Sequence, residues 1–226
     1  MKLTPWLTTV LLALAIAGPA RADQAPDPVD RFDVVWNELG HSSADSMPVG
    51  NGDIGLNVWT EQNGDCCFFI GKTDAWSEDN KGPWGLMKLG RIRISLNPNP
   101  FVAGAPVSQT LHLSEGFIEV RGGAANQQTA LRISVDANRP VIIVQCDSAA
   151  PLDMKVSHES WRTSRRGIYS ADVTVPDSQN RIIWYHHNTK AADPRLNDWT
   201  FGAAIASEGF IRDGPTVLHS ANPGFH

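Results

Sequence analysis

The chain has 226 residues, of which 19 are basic and 24 acidic, giving a net charge of −5 at neutral pH. An acidic balance of this size argues against nucleic acid and anionic lipid as partners, and we exclude both. The length is enough for one domain with a sizeable buried core.

The first 22 residues have the pattern of a secretory signal peptide. Lys2 supplies a positive start, an apolar run follows over residues 10–17, and Ala20 and Ala22 are the small residues that cleavage requires. The run is shorter than the roughly 20 residues needed to cross a bilayer. We therefore expect an exported protein, periplasmic or extracellular, whose mature part (residues 23–226) is a single domain outside the membrane.

Short segments with alternating apolar side chains follow along the mature chain. This period of two predicts half-buried strands around residues 54–58, 92–96, 131–135 and 152–156. Turn residues separate them, including Asn63-Gly64 and Ser114-Glu115-Gly116, and such short connections require antiparallel pairing. The sequence thus predicts an all-β fold, an antiparallel β-sandwich, with a closed barrel as the alternative. The alternation of apolar side chains is interrupted over residues 73–86 and 162–180, which are predicted to be long loops.

Three cysteines occur in the mature part, and two of them are adjacent in sequence. Neighbours on a strand point to opposite faces, so Cys66 and Cys67 cannot both meet Cys146. Burial as small apolar side chains is the favoured interpretation for these residues. A disulfide from Cys146 to one of the other two remains the alternative.

No catalytic set is recognisable, and we predict no catalytic residue, no metal site and no cofactor. His158-Glu159 lacks the second histidine of a zinc helix, and His186 and His187 should point to opposite faces of a strand. Satisfied structural or surface histidines are the favoured interpretation of these pairs.

Acidic residues cluster around the first long loop. A glycosidase needs two carboxyl groups about 5 to 10 Å apart, and the candidates for such a pair are Asp53, Asp74, Glu78 and Asp79. With 24 acidic residues in the chain, a solvated surface is the favoured interpretation of this cluster.

The most unusual string covers residues 47–55, Met-Pro-Val-Gly-Asn-Gly-Asp-Ile-Gly. Gly50 and Gly52 would permit a sharp turn, which favours a corner leading into a strand. Asn51 and Asp53 could present polar groups at a rim, or they could simply bond their own backbone. Both interpretations stay open.

The same string, continued as P-V-G-N-G-D-I-G-L-N-V-W and followed by F-F-I-G-K-T-D-A-W-S, resembles the domain of unknown function 5703. That domain in turn is similar to the N-terminal β-sandwich of glycoside hydrolase family 95, the α-L-fucosidase group. The resemblance implies a galactose-mutarotase-like super-sandwich, incomplete at its C-terminal edge in this chain. It also implies a catalytic (α/α)-toroid as the partner that this chain lacks, so the chain is either a fragment of a longer enzyme or a lone sandwich.

The expected function is that of a non-catalytic module of a secreted carbohydrate-active protein, inactive alone. A free-standing glycan-binding module is the alternative, and a mutarotase-type enzyme using His112, His158 and Glu159 is the second alternative. The candidate ligand-binding residues for a glycan are polar or aromatic and lie at the corner of residues 51–53 or within residues 72–84: Asn51, Asp53, Lys72, Asp74, Trp76 and Trp84.

Overall fold

The computed structural model describes residues 27–79, 85–175 and 181–207. The strands in these ranges are β1 (Val34–Trp36), β2 (Met47–Gly50), β3 (Ile54–Thr60), β4 (Cys66–Trp76), β5 (Leu86–Asn97), β6 (Val107–His112), β7 (Phe117–Gly122), β8 (Thr129–Val135), β9 (Ile142–Ser148), β10 (Asp153–Glu159), β11 (Val173–Val175), β12 (Ile182–His187) and β13 (Thr200–Ile205). Short 3₁₀ helices occur at Asp30–Phe32 and Pro194–Leu196. The predicted signal peptide, Trp84 and the C-terminal segment behind the predicted open edge lie outside the described residues.

The strands form three antiparallel sheets. The first has the order β1-β6-β7-β8-β9, the second β10-β5-β4-β3-β2, and the third β11-β12-β13. Most neighbours are consecutive in sequence because short turns such as Asn63-Gly64 connect them, with Gly64 at a φ of 84°. The predicted all-β antiparallel sandwich is confirmed, and the open strand orders of the described sheets differ from the closed-barrel alternative.

The main core lies between the two five-stranded sheets. Alternation along β3 places Leu56 and Val58 on the inner face of the second sheet, and Ile118 and Leu131 of the first sheet belong to the same apolar cluster. These four side chains are 2% exposed or less. Burying a side chain of this size contributes about 1.5–3 kcal/mol, so this shared interior is the main source of stability.

The second sheet is covered on its outer face as well, over part of its area. Trp59, Cys67 and Phe69 form a second buried cluster there, against which Trp161 packs. Residues 66–70 are therefore buried on both faces, which explains why this segment is continuously apolar instead of alternating.

The third sheet is an addition to the two-sheet arrangement predicted from sequence. Trp184 and Phe201, on β12 and β13, join the main core, and the Trp184 indole N–H donates to the Leu89 carbonyl oxygen at 2.6 Å. This hydrogen bond ties the third sheet to β5 of the second.

Two predicted loops are shorter than expected. Residues 73–76 belong to β4, where Trp76 pairs with Leu86, and residues 173–175 form β11, which pairs with β12. In the first stretch, backbone pairing overrides the low strand propensity of Asp74. Val173–Val175 have high strand propensity, but the segment is too short for an alternating pattern to be recognised. Among the described residues, no helix has the length and hydrophobicity of a membrane span.

All three cysteines are free thiols. Cys66 faces the main core and Cys67 the outer cluster, as their adjacency predicts. Burial raises the pKa of the Cys66 thiol to about 12, which makes it an inert apolar side chain at neutral pH. The predicted burial is confirmed for this pair, whereas Cys146 is only partly buried.

Candidate functional site

A groove of about 660 Å³ lies on the second sheet, beside the part of its outer face that Trp161 covers. Residues of β2, the corner after it, β3, β4 and the first residues of β5 line it. The groove thus combines the two strings that the sequence analysis singled out.

Two glycines form the floor of this groove. Gly55 on β3 pairs with Gly71 on β4, and no atom lies within 4 Å of the position that a Cβ on Gly55 would take. Larger side chains continue the same row of the sheet, where Asn57 pairs with Phe69. The paired glycines therefore leave a depression beside bulky neighbours.

The corner after β2 is built by Asn51 and the glycines beside it. The Asn51 Oδ1 atom accepts hydrogen bonds from the backbone N–H groups of Asp53 and Ile54 at 3.0 and 2.8 Å. A Cβ on Gly50 would lie 2.4 Å from the Ile54 carbonyl oxygen, and Gly52 has a φ of 91°. Both glycines are thus required by the tight turn.

Asn51 also joins the corner to the first sheet. Its Nδ2 donates to the carbonyl oxygens of Asp136 and Arg139 at 2.8 and 3.2 Å, in the turn between β8 and β9. The sequence left open whether Asn51 presents a polar group at a rim or bonds to the backbone. In the structure it bonds to the backbone, because the oxygen and the nitrogen of its side-chain amide both form hydrogen bonds with backbone groups.

Asp53, Lys72 and Asp74 form a charged rim at one end of the groove. The Lys72 ammonium lies 3.1 Å from Asp53 Oδ1 and 2.8 Å from Asp74 Oδ2. Hydrogen bonds from Thr73 and then Lys72 lower the pKa of Asp53, and hydrogen bonding to Asp74 raises the pKa of Lys72. Asp53 and Lys72 are therefore ionised at neutral pH, and both side chains remain partly exposed.

Lys88 lies on the other side of the glycine floor, where it is the strand partner of Gly71. Its ammonium nitrogen is 3.9 Å from the centre of the Phe69 ring, which is itself 2% exposed. Burial lowers the pKa of the Lys88 side chain. Sequence reasoning missed this residue, because a single lysine in a strand carries no signal of function.

Exposed apolar side chains adjoin the groove at the end of β4. Trp76 is 38% exposed and pairs with Leu86, which lines the groove and is 51% exposed. Trp199 is 40% exposed, and its indole N–H donates to the Asp74 carbonyl oxygen at 2.8 Å. We call Trp76, Leu86 and Trp199 the tryptophan edge. Trp76 was a sequence candidate, whereas Trp199 was not.

A buried charged cluster links the third sheet to the residues that follow β4. His186 on β12 has its Nε2 atom 3.3 Å from a Glu78 carboxylate oxygen and its Nδ1 atom 3.0 Å from Asp172. Arg162 also donates to Asp172 at 2.8 Å. The side chains of Glu78, Asp172 and His186 are at most 5% exposed.

The acidic residues around the first long loop (Asp53, Asp74, Glu78 and Asp79) were expected to form a solvated surface. This expectation was wrong for Glu78, whose side chain is fully buried. Burial alone would raise the pKa of Glu78, but hydrogen bonds, including that from the Ser170 N–H, and the nearby His186 ring hold it below its usual value. A histidine between two carboxylates resembles a catalytic arrangement, but the cluster is closed to solvent and its groups satisfy one another. It holds elements together, and within the described residues no group of three ligating side chains could hold a metal ion.

The model of the N-terminal domain of DUF5703, a domain of unknown function, matches residues 35–199. The chain belongs to this family. No curated protein matches its sequence. The matched range includes the corner, the groove and the buried charged cluster of this DUF5703 domain, so all three features lie in the part of the chain that the family shares.

The three residues named for a mutarotase-type reaction have separate contacts in this DUF5703 domain. His158 stacks on Trp184 with ring centres 3.9 Å apart, and burial lowers its pKa to about 4. Its neighbour Glu159 accepts a hydrogen bond from Arg93 at 2.7 Å. His112 lies in the first sheet, 3.0 Å from a carboxylate oxygen of Asp33.

Proposed function

We propose that this DUF5703 chain is a non-catalytic β-sandwich module of an exported carbohydrate-active protein, and that its groove contacts the glycan. We further propose that the family is related to the N-terminal sandwich of the α-L-fucosidase group, glycoside hydrolase family 95. The observation that carries the proposal is that the two strings behind the resemblance, residues 48–59 and 68–77, fold against each other and form most of the groove.

The groove has the size and chemistry that suit a sugar. Its volume of about 660 Å³ falls within the range of small-molecule sites, roughly 300–1,000 Å³. Asp53 accepts hydrogen bonds through Oδ1 from Lys72 and Thr73, while its Oδ2 receives none from the described residues and can accept from a sugar hydroxyl. Asn57 adds an amide on the same side of the floor.

The tryptophan edge supports an extended binding surface. Trp76 and Trp199 present apolar ring surface beside the groove, and indole faces pack well on the apolar face of a pyranose. In a module of a larger enzyme this edge would face the catalytic (α/α)-toroid and the substrate held there. In a free-standing glycan-binding module, the second candidate, the same rings would bind the glycan directly.

Export is proposed on the N-terminal pattern of positive start, apolar run and small residues. It can be checked by expressing the full chain in a Gram-negative host and sequencing the N-terminus of the periplasmic protein. Cleavage after Ala22 is expected, and retention of residues 1–22 in the cytoplasmic fraction would contradict export.

The glycan contact is tested by filling the groove from its floor. The Gly55→Val variant places a side chain where no atom lies within 4 Å, so the sheet should tolerate it while the depression is lost. Wild-type protein should bind oligosaccharides from a glycan array, and Gly55→Val should lose that binding with an unchanged circular dichroism spectrum.

The control is Thr174→Val, which places the same valine side chain at an exposed position of β11 outside the groove by exchanging a hydroxyl for a methyl group. It should bind like wild type. Absence of wild-type binding at about millimolar sugar, the weak end of the affinity scale, would remove the glycan-binding proposal. If Gly55→Val binds as tightly as wild type, the glycan contact lies outside the groove.

A further inference from the structure

Lys88 is the only cationic side chain lining the groove, among the described residues, that lacks a carboxylate partner. Lys72, the other lysine there, is neutralised by two carboxylates at 3.1 and 2.8 Å. The Lys88 ammonium instead lies 3.9 Å from the Phe69 ring centre, and no described acidic group forms an ion pair with it. An ammonium has three hydrogen-bond donors, and a ring face satisfies them poorly.

The surroundings make this charge unusually available to a ligand. Burial depresses the pKa of Lys88, and no neighbouring acid offsets the effect. Lys88 is nonetheless only half-buried and lines the groove, so its side chain can be reached by a ligand there. A partly desolvated cation gains more from an incoming anion than a fully hydrated surface lysine does, because the local dielectric is lower.

The groove is also polarised along its length. The Asp53, Lys72 and Asp74 rim carries an excess negative charge at one end, and Lys88 carries a positive charge on the other side of the glycine floor. A ligand that places hydroxyl groups at Asp53 and an anionic group at Lys88 would match both ends.

We infer that the groove selects acidic sugars, with Lys88 receiving the carboxylate or sulfate of the glycan. This inference rests on the proposed glycan contact and adds the substrate class. The sugar ring lies over Gly55 and Gly71, its hydroxyls bond to Asp53, and the negative group pairs with Lys88. A neutral sugar would leave the Lys88 ammonium desolvated and unpaired, which is unfavourable.

The experiment is a titration of the whole protein, followed by amide chemical shifts, with four probes. Glucuronate and glucose 6-sulfate carry a sugar and a charge, glucose carries only the sugar, and inorganic sulfate carries only the charge. Both acidic sugars, or one of them, should bind about ten-fold or more tightly than glucose, since hydrogen bonds to charged groups are the stronger kind. The comparison of the two acidic sugars distinguishes carboxylate from sulfate, and the preference should weaken as salt is raised.

Variants assign the effect to Lys88. Lys88→Met keeps the aliphatic stem over Phe69 and should lose the preference for acidic sugars, since the lost energy is that of the charged hydrogen bond. Lys88→Arg should retain most of the preference, because it keeps the charge. Lys155→Met, at an exposed position of β10 outside the groove, is the matched control and should behave like wild type.

The outcomes separate the two proposals. Equal binding of glucose and acidic sugars, or a preference that survives in Lys88→Met, overturns the assignment of acidic sugars and leaves the glycan contact intact. Inorganic sulfate binding as tightly as glucose 6-sulfate overturns it as well, since the sugar would then contribute nothing. Failure of all sugars to bind overturns the proposed function itself.

Discussion

We expect a large loss of stability when one carboxylate of the buried charged cluster of Glu78, Asp172 and His186 is changed to an amide. In Asp172→Asn the carboxylate becomes an amide of nearly the same shape. Asp172 is 5% exposed and accepts hydrogen bonds from Arg162 at 2.8 Å and Ser160 at 2.6 Å, with His186 at 3.0 Å. The variant therefore leaves the Arg162 guanidinium, 14% exposed, beside a neutral group.

The magnitude follows from the burial of these partners. Removing one member of a buried charge pair costs about 3–5 kcal/mol, mostly because the remaining charge is left uncompensated. The amide oxygen of asparagine can still accept one hydrogen bond, so the expected loss is near the lower limit, about 3 kcal/mol. The free energy of unfolding is measured by urea titration, with the fluorescence of the tryptophans and the circular dichroism followed together.

The matched control is Asp198→Asn, which makes the same chemical change beside the neighbouring histidine. Asp198 is 87% exposed and lies 3.7 Å from His187. An exposed pair of this kind contributes about 0–1 kcal/mol, and asparagine tolerates the positive φ of 58° at this position. A loss below about 1 kcal/mol in Asp172→Asn, or equal losses in the two variants, would refute the structural role assigned to the cluster.

Two further predictions concern protons and thiols. Hydrogen bonds and nearby positive charge, opposing burial, hold the pKa values of Glu78 and Asp172 below the ordinary 4.5 and 3.8. Their stabilisation is therefore complete above pH 4.5 and is lost as the pH falls through the lower folded-state values. Asp172→Asn lacks one of the two carboxylates, so urea midpoints should fall more steeply below about pH 3.8 in wild type than in the variant, and parallel curves would contradict this. Cys146, only partly buried, should react first with an aromatic disulfide reagent in the native state, while Cys66 and Cys67 react after denaturation; simultaneous native reaction of all three would be inconsistent with the burial.

Much of the fold follows from local patterns, and particular residues show why. Ile54, Leu56 and Val58 alternate because one face of β3 meets the core, and the Asn63-Gly64 turn sets the pairing with β4. Such signals depend on neighbours in sequence. Residues 66–70 carry no alternation, because each face of that strand meets a different buried cluster.

The features that sequence reasoning missed all depend on distant contacts. Glu78 is separated by 108 residues from His186, and no spacing rule connects them. The third sheet escaped prediction because β11 has only three residues and lies within a stretch rich in loop-forming residues. Of the candidate site, Asp53, Lys72 and Asp74 were found because they lie in the two strings. The Lys88 contact with Phe69 depends on a cross-strand pairing that the sequence leaves open.

The Asn51 amide has a consequence for the way the groove meets a ligand. Since it donates to carbonyl groups in the turn between β8 and β9 of the first sheet, the corner after β2 is fixed without a ligand. Binding at this end of the groove would then cause little loss of conformational entropy in the protein. For the proposed sugar ligand, such a preformed corner would give selectivity by shape, because the corner would not rearrange to fit a sugar of different stereochemistry.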